Sequence, residues 1–316
     1  LLEKSDSYAA FIPVVLMFLL FGTAIFFPVL KLLWIGSFLN QNNMGIQKID
    51  DILYMDEIDE PALSRYPEGA HVEFRNVSFA YNTTTILKEV SFTANPGTIT
   101  ALVGPSGAGK STIAMLAARF WDIQDGEILI GNVPIKEIPT SVLMDNIALV
   151  FQDNMLFFDT IEENIRMGNK TATFEDVKRA ACAAQCHEFI EALPDGYQTL
   201  VGEGGTYLSG GEMQRLALAR AILKDAPVIL LDEATAFADP ENEGKILEAF
   251  SHLIKGKTVL VIAHRLGTIT NADHILYLDK GMITEKGTHE ELLALHGAYA
   301  HMWKTYNRAK EWIIDR

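Results

Sequence analysis

The sequence predicts an α/β domain with a mostly parallel sheet, preceded by a membrane-spanning α-helix. Three observations carry that expectation. Apolar strand patterns alternate with helical ones from about residue 70 to residue 303. Residues 104–112 fit G-x-x-x-x-G-K-[ST], the phosphate-cradling loop. Residues 11–30 contain no charged side chain, and about 20 such residues match the thickness of a bilayer's hydrocarbon core.

The loop reads Gly104-Pro105-Ser106-Gly107-Ala108-Gly109-Lys110-Ser111-Thr112. Its glycines let successive main-chain N–H groups approach a phosphate, and a helix N-terminus adds the positive end of its dipole. Both flanks are right. Residues 99–103, ITALV, read as a buried strand, and residues 112–119 are good helix formers without a breaker. A glycine-rich turn with a chance lysine would lack that context. Lys110 is expected to reach the β/γ-phosphates and Ser111 to ligate Mg²⁺, so the expected ligand is a nucleoside triphosphate.

Composition bounds the rest. The chain has 316 residues, 49% hydrophobic, with a formal net charge of −15. That offers no basic footprint, so no nucleic-acid partner is expected. Cys182 and Cys186 are its two cysteines, which excludes a disulfide framework and fits a reducing compartment. With His187 they spell C-x-x-x-C-H in an Ala-rich helical stretch, but a metal cluster would need further ligands.

In chain order, the apolar stretch comes first. A secretory signal would need a basic start and a small-residue cleavage site, and residues 1–6 supply neither. Pro13 and Pro28 are tolerated in membrane helices. The first residue is Leu1 rather than Met, from which the chain is expected to be a C-terminal piece of a larger membrane protein. The membrane helix is expected over about 11–33. Ile46, Ile49 and Leu53 keep helical spacing and carry it on to about 56, so that 1–60 forms the end of a transmembrane domain. Pro61 and Pro67-Glu68-Gly69 mark a linker over 61–69; a nucleotide-binding domain is expected over 70–308 and a tail over 309–316.

Two more stretches bear chemistry. Residues 228–233, VILLDE, read as a central parallel strand with acidic residues at its C-terminal end, where open α/β sheets place ligands. Asp232 is expected to hold Mg²⁺ and Glu233 to act as general base toward the attacking water. In residues 207–215, YLSGGEMQR, Ser209 and Glu212 fit the S-x-x-E capping box of a helix continuing through residue 223. The cap does not explain Gly210 and Gly211, which leave outward N–H groups suited to an anion from another molecule.

Residues 208–212 resemble the LSGGQ signature of ATP-binding cassette (ABC) transporters, with Glu212 where the family usually has Gln. The resemblance covers nearly the whole chain and implies a P-loop NTPase cassette of α/β fold with a helical subdomain. Tyr81, ahead of the first strand-rich segment, resembles the A-loop aromatic that stacks on adenine. Gln152 resembles the Q-loop glutamine that reaches Mg²⁺ and the membrane domain; His264 the H-loop histidine that contacts the γ-phosphate; and Asp239 the D-loop aspartate. Residues 199–205, TLVGEGG, resemble the X-loop of exporter-fold transporters, with Leu200 and Gly204 in place of Glu and Arg. Residues 236–239, AFAD, depart from the usual SALD, which puts communication between ATP sites in doubt. Glu212 keeps the capping role of Gln, although it adds negative charge near phosphate.

The resemblance implies an ATP-hydrolysing half-transporter of the cell membrane, with its cassette in the cytoplasm. Its partners would be a second half-transporter, membrane lipid and a small-molecule cargo. In the family two cassettes face head to tail, each ATP lying between residues 104–112 of one and Ser209, Gly210, Gly211 and Glu212 of the other. Drug-, lipid- or peptide-type export is what the fold favours. Residues 235–243, TAFADPENE, resemble a bacterial subgroup that includes siderophore uptake systems, so iron-siderophore import is the alternative. A soluble ABC ATPase would lack the stretch over 11–30, an idle regulatory partner would have lost Glu233 or His264, and a simple P-loop kinase has no use for residues 208–212.

Overall fold

The computed structural model describes residues 5–54, 58–151, 155–232, 240–263 and 269–314. They belong to two units, Leu1–Ile58 and Asp59–Arg316.

The first unit is one helix, α1 (Ser5–Leu53), of 49 residues. Pro13 and Pro28 sit inside it, and Thr23 Oγ donates to the carbonyls of Leu19 and Leu20, both at 3.0 Å. From Phe11 to Val29 every side chain is exposed, phenylalanines and leucines included. A stretch apolar all round is stable only when something apolar surrounds it, and none of the described residues of this unit does so. The helix is long and apolar enough to cross a membrane.

The second unit starts at Asp59, ahead of the expected start near residue 70. Its first residues are tied to the domain rather than free. Asp59 O accepts from Arg119, Glu60 from the Thr140 N–H, and Arg65 binds Glu137 through its own N–H and, at 2.8 Å, its guanidinium. Proline and glycine composition marks where a chain cannot be helical; it does not reveal hydrogen bonds to distant turns.

Strands β1 (Val72–Tyr81) and β2 (Thr84–Ala94) form a hairpin across Asn82, which turns with φ +51°. Then follow β3 (Ile99–Val103), α2 (Lys110–Ala117), β4 (Asp125–Ile130), β5 (Val133–Pro134), α3 (Thr140–Asn146) and β6 (Ile147–Val150). The next stretch holds β7 (Asp159–Thr160), α4 (Ile161–Arg166), α5 (Phe174–Ala183), α6 (His187–Glu191), β8 (Leu200–Val201) and α7 (Gly210–Lys224). The remaining elements are β9 (Val228–Asp232), α8 (Pro240–Ile254), β10 (Thr258–Ile262), β11 (His274–Asp279), β12 (Met282–Gly287), α9 (His289–Ala294) and α10 (Ala298–Ile314). The last helix runs through the stretch expected to begin a tail at residue 309.

Among the described residues the central sheet has the order β12-β11-β3-β10-β9-β6, parallel from β11 to β6 with β12 antiparallel. A second sheet, β2-β1-β4-β5, is wholly antiparallel. The alternation of apolar strands and helices predicts the first sheet and is silent about the second. Strand β1 has one buried and one wetter face, which suits an antiparallel layer.

Period-two alternation splits the central strands between two cores. Val103, Ile229, Leu231 and Val261 join a core with α4, α5, α7 and α8; Leu102, Val228, Leu230, Leu260 and Ile262 join one with α2, α3 and the antiparallel sheet. The central sheet therefore carries a helical layer on one face and the loop helix α2 on the other.

Candidate functional site

The parallel register sets three strand ends side by side. Ile262 on β10 lies opposite Leu102 on β3 and Asp232 on β9. The glycine loop leaves this edge at Gly104, and α2 returns from it to pack on β9 and β10. Asp232, half-buried, thus ends the strand against which the helix of Ser111 is laid.

Two glycines of the loop are required by geometry. Gly104 has φ +142°, and a Cβ there would lie 2.0 Å from the Leu278 carbonyl oxygen of β11. Gly109 has φ +102°, and its Cβ would meet Leu87 Cδ2 at 2.6 Å. The loop is therefore pressed between β11 and β2 in conformations that side chains rarely adopt. Pro105, Ser106 and Gly107 are exposed, while Ala108 is buried and its N–H closes a turn on Pro105 O at 3.2 Å.

Lys110 opens α2 and is 4% exposed. Its Nζ donates to the carbonyls of Gly104 and Pro105, both at 2.9 Å, so the ammonium is folded back over the loop and its burial is offset by polar contacts. Gly109 caps α2 with no side-chain hydrogen bond, and the helical ladder begins with Ile113 N–H on Gly109 O at 3.1 Å. The N–H groups of Ser111 and the buried Thr112, ahead of that first bond, thus have no helical acceptor. Such an end suits an anion.

Helix α7 begins differently. Ser209 accepts the Glu212 N–H at 3.3 Å, and Glu212 Oε2 accepts both the N–H and the hydroxyl of Ser209 at 2.8 Å. The capping box expected from sequence is present. Helices α5 and α9 carry the same box, Thr173 with Asp176 and Thr288 with Glu291, and each adds a glutamate in its first turn, Glu175 and Glu290. Between cap and carboxylate α7 has only Gly210 and Gly211, so its first turn carries no further side chain. Behind it Gln214 and Arg215 are buried, the guanidinium 5.2 Å from the Phe189 ring centre.

Tyr81 stands not ahead of the first strand but as the last residue of β1, because the antiparallel hairpin begins well before it. Its ring meets Phe79 and Trp121 edge to face at 4.8 and 5.2 Å, and its hydroxyl lies 3.8 Å from Met115 Sδ on α2. Gln152, Glu233, Asp239 and His264 lie outside the described residues. In sequence they come shortly after the described ends of β6, β9 and β10.

Leu278, Leu87, Met115 and Trp121, which shape this site, were not legible beforehand. Leu278 acts through its carbonyl oxygen, which no motif encodes, and the other three matter through neighbours distant in sequence. Cys182 and Cys186 do not share one helix: α5 ends at Ala183, Gln185 turns with φ +56°, and α6 starts at His187. Burial pushes the Cys186 thiol pKa well up, and His187 Nδ1 pairs with Tyr197 Oη at 3.0 Å. No metal-holding cluster occurs among the described residues.

Comparison with known proteins agrees with this fold. Residues 87–236 match the family described as "ABC transporter". The ATP-dependent lipid A-core flippase of Syntrophus aciditrophicus is 43% identical over 275 residues, 86% of this chain and 46% of the flippase. ATP-binding cassette sub-family B member 6 of Homo sapiens is 44% identical over 306 residues, 94% of this chain and 36% of that protein. The mycobactin import ATP-binding/permease protein IrtA of Mycobacterium tuberculosis is 50% identical over 237 residues, 75% of this chain and 28% of the importer. The solved structure of a bacterial Atm1-family ABC exporter with ATP bound superposes with a TM-score of 0.77 at 40% identity, covering 84% of this chain and 47% of that one. The chain spans less than half the length of these relatives.

Proposed function

The chain belongs to the ABC transporter family, and from that premise we infer that it is the ATP-hydrolysing part of a membrane transporter working as a pair of cassettes. One observation carries the reading: the chain holds two helix N-termini prepared for anions in opposite ways, α2 bare behind its glycine loop and α7 capped with two glycines in its first turn. ATP phosphates occupy the first. The second serves the ATP held by a partner's loop.

Lys110, turned from the carbonyls it now meets, neutralises the β/γ-phosphates, and Tyr81 stacks on the adenine. Ser111 and Asp232, with Gln152, would hold Mg²⁺; hydroxyl and carboxylate oxygens are the donors that ion prefers. The ion supplies charge neutralisation on the phosphate oxygens. Glu233 takes a proton from the attacking water, His264 contacts the γ-phosphate, and Asp239 lies at the cassette interface. Helix α1 crosses the cell membrane and α2's domain lies in the cytoplasm, so that closure of two cassettes on ATP is passed to membrane helices. A second half-transporter, lipid and a small-molecule cargo are the partners of this scheme.

Export of a lipid- or drug-like molecule is the first reading of direction. Import of an iron-siderophore is the second, favoured by residues 235–243 and by identity to the mycobactin importer.

ATP turnover by the purified 316-residue chain in detergent tests the assignment. Lys110→Ala and Glu233→Gln should each lower turnover by roughly a hundredfold or more, the scale of losing a preorganised charge-stabilising group in the first and a general base in the second. Unchanged turnover in Glu233→Gln would remove it as the base.

A further inference from the structure

We propose that Trp121 is a positioning residue for nucleotide binding, fixing the ring of Tyr81 so that it forms a ready-made platform for the base. The inference rests on the reading of Tyr81 as the base-stacking residue and goes beyond it by naming what holds that ring.

The observations lie in the connection between α2 and β4, which no motif covers. Trp121 is 51% exposed, so its indole borders solvent while it holds a protein contact. It meets Tyr81 at 5.2 Å with the ring planes at 83°. Phe79, two residues earlier on the same face of β1, meets Tyr81 at 4.8 Å and 88°, and Met115 Sδ takes the hydroxyl. Three contacts thus fix the Tyr81 ring, and Trp121 is the exposed one among them.

The connection itself is pinned on both sides of the indole. Arg119, 5% exposed with φ +54°, donates through Nε to Asp122 at 3.1 Å and through a terminal nitrogen to Asp59 O at 2.9 Å. Gln124 accepts the Ala80 N–H at 2.9 Å and returns a hydrogen bond to Ala80 O at 3.2 Å. Its amide therefore continues the β1–β4 ladder beyond the Ser78–Asp125 pair and clamps the residue next to Tyr81. Helix α2 carries the phosphate-binding lysine at one end and this strut at the other, so one short helix fixes the base platform relative to the phosphate loop. A preformed platform spares the nucleotide the entropy of ordering an aromatic side chain.

The test separates base from phosphate. Equilibrium affinities for Mg-ATP and for Mg-tripolyphosphate, which has no base, are measured by calorimetry on the full 316-residue chain. Trp121→Ala should weaken ATP roughly two- to tenfold, the worth of one aromatic pair, and leave tripolyphosphate unchanged. Trp121→Phe, which keeps an edge-to-face partner, should restore ATP affinity. In Tyr81→Ala the added Trp121→Ala should cost nothing more. Equal weakening of both ligands by Trp121→Ala, or additive effects with Tyr81→Ala, would overturn the inference while leaving the base-stacking reading intact. A Tyr81→Ala variant that binds ATP as well as the parent would overturn both.

Discussion

The N-termini of α2 and α7, the two ends proposed above to meet ATP phosphates, are built in two different ways. Helix α2 has no side-chain cap: Gly109 has no side chain to lend, its φ of +102° excludes most substitutes, and the N–H groups of Ser111 and Thr112 have no acceptor in the helical ladder, which begins at Ile113. Helix α7 is closed locally by Ser209 and Glu212, and only its two glycines keep the end unobstructed. The bare end depends on distant packing, since β2 and β11 press the loop into shape. The capped end is assembled from four consecutive residues. A locally built end should tolerate change better than one held by tertiary contacts.

The largest break in that comparison should come from Gly109→Ala. It forces a methyl to within 2.6 Å of Leu87 Cδ2 at a backbone angle that alanine avoids. Unfolding in denaturant should reveal a loss of about 1–3 kcal/mol, with nucleotide binding abolished. Ser209→Ala comes next. Removing a helix cap costs about 1 kcal/mol, or roughly 2–4 °C in melting temperature for a domain of this size. Glu212→Gln keeps an oxygen that accepts from Ser209, so its melting temperature should fall by less than that of Ser209→Ala; a larger fall would show that the carboxylate charge, not the cap, holds α7.

The smallest effect sharpens the comparison through pH. In the capping box of α5, Asp176 accepts from Thr173 and pairs with Arg179, and these contacts hold its pKa below the usual carboxylate value. A depressed folded pKa contributes stability above the unfolded value and loses it as pH falls through the folded one. Asp176→Asn should therefore melt slightly below the parent at pH 7, and the gap should close as the solution is taken below pH about 4. A constant gap across that range would show that the charge of Asp176 contributes nothing.

Much of the site was legible because its signals are local. Residues 228–231 are a continuous apolar run and residues 99–103 are apolar but for Thr100, which suits strands buried on both faces, and Ser209 with Glu212 is a cap written within four residues. The antiparallel sheet escaped, although β1 and β2 alternate, because pairing between Val72 and Ile130 joins segments far apart in sequence. The docking of residues 59–68 escaped for the same reason: Arg119, Glu137 and Thr140 are remote from them in the chain.

By itself the sequence determined which stretch is long and apolar enough to cross a membrane, which residues carry the phosphate-loop motif between a strand and a helix, and that α7 opens with a capping box, since each follows from neighbours a few residues apart. Only the tertiary structure decided what stands behind those residues. Leu278 behind Gly104, Leu87 behind Gly109 and Trp121 beside Tyr81 are set by strand order and by one short helix, and packing of that kind has no signature along the chain.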